Sequence, residues 1–200
     1  MSLSKERIVQ EALQLLNESS LEGVTLRKLA KRLDVYASAL YWHFNNKAAL
    51  VNEMAEAILE EGFVKFQKIK ENESWQEWLL DFYNTLRKTL LSYTDGVRVV
   101  AGSQLSKNMA DLSEMAIKTL YESSTPLHKA RLTVITALRY TFGYVAEEQM
   151  SVSPDQLKEF DIETFSQNHP LTTKAVQEYF DTGKNTDDLF QDGLEMIIQR

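Results

Sequence analysis

Cysteine is absent from the sequence, which excludes disulfides and thiol catalysis and is compatible with the cytoplasm. Only 3 prolines and 7 glycines interrupt the 200 residues, so long helices can run without breakers. No apolar run approaches the roughly 18 residues that a membrane span needs. The opening stretch, Met1-Ser2-Leu3-Ser4-Lys5-Glu6-Arg7, lacks the apolar centre of a secretory signal. A cytoplasmic protein without a membrane partner is expected. Histidine is also scarce: His43, His128 and His169 fall on different predicted elements. There is no metal-spaced cluster and no phosphate-cradling glycine loop. Glu147-Glu148 and Asp187-Asp188 read as ordinary solvated or capping pairs. An enzyme is therefore disfavoured, and neither a metal nor a cofactor is implied.

The net charge of −7 argues against nucleic acid, but its distribution argues for it. Residues 1–50 hold seven Lys/Arg and five Asp/Glu, a net of +2, whereas residues 51–200 carry a net of −9. Within 26–47, Arg27, Lys28, Lys31, Arg32 and Lys47 accompany a single acid, Asp34. A local basic patch matters more for phosphate binding than the global sum.

Almost every segment reads as helix. Ser4 caps a first helix over about 5–18, with Ile8, Ala12, Leu13 and Leu16 on one face. Thr25 caps a second, with Leu26, Leu29, Ala30 and Leu33 inward, and Tyr36 to His43 makes a short third with Leu40 and Phe44 facing in. A long helix follows from Lys47 to about Gln67. Further helices are predicted at about 75–92, 96–101, 106–122, 126–148, 172–181 and 186–199, with 149–172 irregular around Pro154, Asn168 and Pro170. The fold class is all-α. An N-terminal three-helix domain over 1–48 is joined by the helix at 47–67 to a helical domain over 68–200.

Helices at about 25–34 and 36–43 form a helix-turn-helix pattern. In that motif the first helix crosses the DNA backbone, and the second presents its N-terminal residues to base edges in the major groove. Such a helix needs small or hydrogen-bonding residues outside, which Tyr36, Ala37, Ser38, Ala39 and Tyr41 supply.

The residues themselves carry a resemblance. Thr25-Leu26-Arg27-Lys28-Leu29-Ala30-Lys31-Arg32-Leu33-Asp34-Val35, followed by Ala39-Leu40-Tyr41-Trp42-His43-Phe44-Asn45-Asn46-Lys47-Ala48-Ala49-Leu50, resembles the DNA-binding signature of the TetR family. Trp75 to Leu79, Leu90 to Gly96 and Thr141 to Gln149 resemble the C-terminal domain of its tetracycline repressor subclass. The resemblance implies a ligand-released repressor that binds a palindromic operator in double-stranded DNA as a homodimer. It places Arg27 where a guanine is read, since a guanidinium donates twice to O6 and N7. Thr25 and Lys47 fall at phosphate-binding positions, Tyr41 and His43 at groove and phosphate contacts, and Trp42 at a backbone contact or partial core. Ala37-Ser38-Ala39 departs from the subclass, where glutamine-proline-threonine reads the operator, and Leu26 replaces a hydroxyl residue. A different operator is implied.

The resemblance also implies a small-molecule pocket in the C-terminal core. Its candidate lining is Phe82, Leu86, Val100, Ser103, Leu105, Met109, Leu138, Phe142 and Glu147. Val100 stands where the subclass has a magnesium-binding histidine. Phe82 and Leu86 replace its drug-binding asparagine and phenylalanine, and Phe63 or Val64 replaces a second histidine. The inducer is therefore expected to be largely apolar or aromatic, with any positive group near Glu147. The dimer is expected to use the helices at about 127–148 and 186–199. Leu132, Ile135, Leu138, Phe142 and Val145 make one stripe, and Leu189, Phe190, Leu194, Ile197 and Ile198 another, with Leu194 and Ile198 in the interface. The alternative is a helical protein–protein adaptor without operator binding, which would need none of Arg27, Tyr41 and Lys47.

Overall fold

The computed structural model describes residues 3–103, 106–150, 158 and 160–199. Among the described residues the chain forms eleven helices. Ser4 opens α1 (Lys5–Gly23), its Oγ accepting from the Arg7 amide at 3.2 Å. Ile8, Ala12, Leu13 and Leu16 turn inward at helical spacing. The predicted end near residue 18 is corrected: α1 reaches Gly23 across a kink at Ser19 and Ser20, where Ser20 takes φ 60°. The Ser19 hydroxyl donates back to the Leu15 carbonyl at 2.8 Å, a competing local bond that bends helices.

Thr25 caps α2 (Leu26–Arg32) by accepting from the Lys28 amide at 3.2 Å. The turn to α3 (Ala37–Tyr41) passes through Asp34 at φ 53° and closes with the Val35 amide on the Ala30 carbonyl at 3.0 Å. Leu29, Leu40 and Phe44 are buried with Ile8, Leu16 and Leu50, so one small core holds the three helices at a fixed angle.

Asn46 caps α4 (Lys47–Phe63), its Oδ1 accepting from the Ala49 amide at 2.8 Å. This helix stops at Phe63 rather than near Gln67. The segment beyond it is held instead by the Trp78 indole, whose N–H donates to the Gln67 carbonyl at 3.0 Å. Helix α4 belongs to both halves of the molecule. It packs against α1 and also against α5 (Trp75–Leu91), α6 (Gly96–Gly102) and α7 (Lys107–Glu122). The buried apolar side chains accordingly form one contiguous cluster from the head into the C-terminal helices.

Helix α8 (Leu127–Glu148) buries Ala130, Val134, Ala137, Thr141 and Val145, a stripe at 3–4 spacing. The irregular 149–172 of the sequence reading is corrected at its end, where α9 (Ile162–Asn168) is helical and capped by Asp161. Pro170 begins α10 (Pro170–Asp181), where its missing amide proton costs nothing. Neither α9 nor α10 buries a residue. Asn185 and Asp188 form a capping box on α11 (Thr186–Ile198). Phe190, Leu194 and Ile198 of α11 are buried within the chain, against α5 and α8. Leu194 and Ile198 therefore belong to the core of one protomer and not to an exposed face. The guanidinium of buried Arg87 binds Glu148 and Asp187 and lies over the Tyr144 and Phe190 rings at 5.5 and 4.9 Å. One cation thus joins α5, α8 and α11.

Candidate nucleic-acid interface and ligand domain

The predicted contact residues of the helix-turn-helix are mostly exposed to solvent. Arg27 on α2, Ala37 and Ser38 on α3, and Tyr41, His43 and Lys47 are exposed, and Ala39 is half-buried. Tyr36 is 87% exposed at the N-cap of α3. Trp42 is 90% exposed and is no part of the core. Leu40 and Phe44 are buried, and the Phe44 amide donates to the Leu40 carbonyl at 2.9 Å. Thr25 is half-buried, and its hydroxyl is already occupied as the cap of α2.

The basic residues divide into two kinds. Arg32 is spent within the head, pairing with Glu11 at 2.5 Å and with Glu18. These carboxylates raise its pKa above the ordinary arginine value, the Glu18 hydrogen bond first. Among the described residues Arg27, Lys28 and Lys31 form no ion pair, and they are exposed, so their charge is available to phosphate. Lys28 and Lys31 were legible only as members of a basic run. Lys47 donates from Nζ to the Leu21 carbonyl at 2.6 Å, at the kinked end of α1.

The same stretch of α1 is tied to the C-terminal helices. The Leu21 amide donates to Asp95 Oδ2 at 2.8 Å, and the Thr94 amide donates to Asn17 Oδ1 at 2.8 Å. Arg98 on α6 binds Glu22 and, at 3.2 Å, Asp95. The Arg98 hydrogen bond holds the Glu22 carboxyl down at about 2. Gln149, at the end of α8, donates to the Leu90 and Tyr93 carbonyls at 3.1 and 2.8 Å and accepts from the Val97 amide at 3.2 Å. The start of α6 is thus gripped between α8 and the reading head. Asn17, Leu21 and Arg98 had no chemical motif to reveal them, because Thr94, Asp95 and Glu22, their respective partners, lie more than 70 positions away in sequence.

The ligand-domain candidates are only partly assembled. Phe82, Leu86 and Val100 are buried, and Met109, Leu138 and Phe142 are half-buried. Phe82 sits in an aromatic cluster with Phe63, Phe66, Trp78 and Tyr83, at centroid distances of 5.2, 5.5, 5.6 and 5.1 Å. Burial pushes the Tyr83 hydroxyl well up from its ordinary value. The Ser103 hydroxyl is buried without a hydrogen-bond partner among the described residues. Leu105 lies outside the described residues. Glu147 is exposed, and its neighbour Glu148 takes the inward position against Arg87. An open apolar groove of about 340 Å³ runs between α4 and α7, lined by Leu59, Phe63, Val64, Asn108, Leu112 and Met115 among others. Of these only Phe63 and Val64 were singled out by sequence. The α7 members follow a 3–4 spacing that also describes ordinary core.

Comparison with known proteins gives two family matches. Residues 8–54 match "Bacterial regulatory proteins, tetR family", and residues 69–199 match "Tetracyclin repressor-like, C-terminal domain". The chain is 32% identical to the class A tetracycline repressor protein from transposon 1721 of Escherichia coli, over 98% of this chain and 89% of that protein. It is 32% identical to a TetR Q116A variant from Acinetobacter baumannii AYE solved in complex with minocycline, with TM-score 0.75 over 99% of this chain and 96% of that one. It is also 28% identical to BioQ solved with its double-stranded DNA operator, with TM-score 0.65 over 74% of this chain and 88% of that one.

Proposed function

Since the chain belongs to the TetR family of bacterial regulatory proteins, we propose that the exposed face from Arg27 to Lys47 is its operator-reading surface and that the C-terminal helices sense its inducer. The protein is a DNA-binding transcriptional regulator, a repressor responsive to a small molecule. The observation that carries the site assignment is the exposed set Arg27, Lys28 and Lys31, without an ion pair among the described residues, beside an uncharged α3. Phosphate contacts position such a head, and base contacts specify its sequence. Arg27 donates to a guanine edge; Lys28 and Lys31 meet phosphates; Lys47 holds the end of α1 and offers its remaining protons to the backbone. An adaptor would have no use for this row.

The reading is of a binding protein and not a catalyst, acting in the cytoplasm. No helix among the described residues is long and apolar enough to cross a membrane. Two copies meet through α8 and α11, where Leu132, Leu189 and Met196 stay exposed. Trp75, Leu132, Thr136, Met196 and Ile197 help line an apolar groove of about 600 Å³ on that face. The inducer site lies among Phe82, Leu86, Val100, Met109 and Phe142, next to α6. A ligand that binds one arrangement of α6 more tightly shifts the population toward it. Through Asp95, Arg98 and Gln149 that shift reaches Leu21 and Lys47, and so changes the setting of the reading heads. The direct test is a gel shift with the DNA upstream of the chain's own gene. Wild type should retain that duplex against excess random DNA and Arg27→Ala should not. Equal retention of both duplexes by wild type contradicts the assignment.

A further inference from the structure

Helix α3 carries no charged residue, and its exposed surface is Tyr36, Ala37, Ser38 and Tyr41. The N-terminal end of such a helix meets base edges. There the methyl groups of Ala37 and Ala39 offer only apolar contact, which in the major groove means the thymine methyl. Two groups at that end are able to hydrogen-bond, the Ser38 hydroxyl and the Tyr36 phenol.

Tyr36 differs from every other helix cap in the head. Ser4, Thr25 and Asn46 each accept a hydrogen bond from a backbone amide of the helix they begin. Tyr36 occupies the N-cap of α3 in extended backbone, φ −71° and ψ 143°, and makes no such bond. A tyrosine at a position that favours Ser, Thr, Asp or Asn forgoes helix stability. Its ring is 87% exposed, so folding recovers almost nothing by burial. Neither local structure nor packing accounts for an aromatic there, whereas contact with a second surface would use both its ring and its hydroxyl. Trp42 is as exposed, but it lies at the C-cap of α3 beside His43, away from the end that meets base edges.

We propose that Tyr36 is a base-reading residue that specifies an A·T pair in each half-site of the operator. Its hydroxyl both donates and accepts. Adenine presents an acceptor, N7, and a donor, N6, side by side in the major groove, and the paired thymine presents a methyl group. The phenol hydroxyl meets the adenine edge and the ring meets the methyl, while Ala37 and Ala39 favour thymine at adjoining positions. This assignment rests on the operator-binding reading above.

The test is selection of duplexes from a random library by the full chain, as wild type, Tyr36→Phe and Tyr36→Ala, followed by fluorescence anisotropy on selected and singly substituted duplexes. Wild type should return a palindrome with a G·C pair and an A·T-rich stretch in each half-site. Tyr36→Phe changes one exposed oxygen and leaves the fold intact. It should lower the preference at one A·T pair by about 10-fold per half-site and leave random DNA binding unchanged. Tyr36→Ala should lower it further. If both variants return the wild-type palindrome with wild-type preferences, the assignment is overturned. It is also overturned if both lose affinity for selected and random duplexes in equal proportion, the mark of a phosphate contact. Failure of the wild type to select any palindrome would instead defeat the operator-binding reading itself, and the Tyr36 assignment with it.

Discussion

At the scale of single residues the account divides base reading from backbone holding. Arg27 is exposed and, among the described residues, forms no ion pair. Arg27→Ala should weaken the selected operator by about 1–3 kcal/mol and relax preference at one G·C pair. Lys47→Ala should weaken selected and random DNA alike and flatten the dependence of log Kd on log salt. Anisotropy titrations at several salt concentrations separate the two patterns. Glu22 supplies a second residue-scale prediction. Its folded pKa is depressed from 4.5 to about 2 by Arg98, so the tie between α1 and α6 is fully present above 4.5 and fades as pH falls toward 2. Carbon-detected NMR should find the Glu22 carboxyl titrating near 2 in wild type and closer to its ordinary value in Arg98→Gln. Identical titration in both proteins would show that the pair does not form in solution.

At the scale of elements, the C-terminal core offers packing and no metal ligand at Val100 and Phe82. Val100 of α6 is buried and has no lone pair for a hard cation, and Phe82 of α5 is enclosed by Phe63, Phe66 and Trp78. The chain should therefore bind no magnesium–tetracycline complex at sub-micromolar concentration by calorimetry, although its relative from Acinetobacter baumannii was solved with minocycline. A magnesium-dependent sub-micromolar signal would contradict this. The helices were legible where periodicity and caps agreed: Ser4 and Thr25 each start a helix as a capping residue should. The α1 kink was not legible, because it depends on Ser20 taking a left-handed backbone that serine rarely adopts. Helix α9 was hidden because it is only seven residues long and sits in a stretch that Pro154 and Pro170 mark as irregular. Glu147 and Glu148 are adjacent, and only the distant Arg87 decides which of them turns inward.

At the scale of the whole molecule, recognition of a palindrome requires two reading heads on a twofold axis. The sequence pattern showed that α8 and α11 have more apolar surface than one core needs, but not which residues are left over. Leu194 and Ile198 went to the protomer core because α11 turns that edge toward α5 and α8. Leu132 and Met196, 62% and 67% exposed, are the apolar surplus that we assign to the partner. Leu132→Glu with Met196→Glu should give a folded monomer in sedimentation velocity at micromolar concentration, with wild-type helical content. A variant that stays dimeric would exclude this face from the interface.

The central claim is that one molecule couples a ligand in the C-terminal helices to DNA at the head. The most direct test is the anisotropy of a labelled upstream duplex, titrated with a compound that raises the melting temperature of the free protein. A ligand at a hundred times its Kd adds about 2.7 kcal/mol, enough for a thermal screen to find one. The account predicts that anisotropy falls to the free-duplex value as the compound saturates, and that bound DNA weakens the compound's affinity by the same factor. A compound that stabilises the protein and saturates it while the duplex stays bound with unchanged affinity would contradict the account.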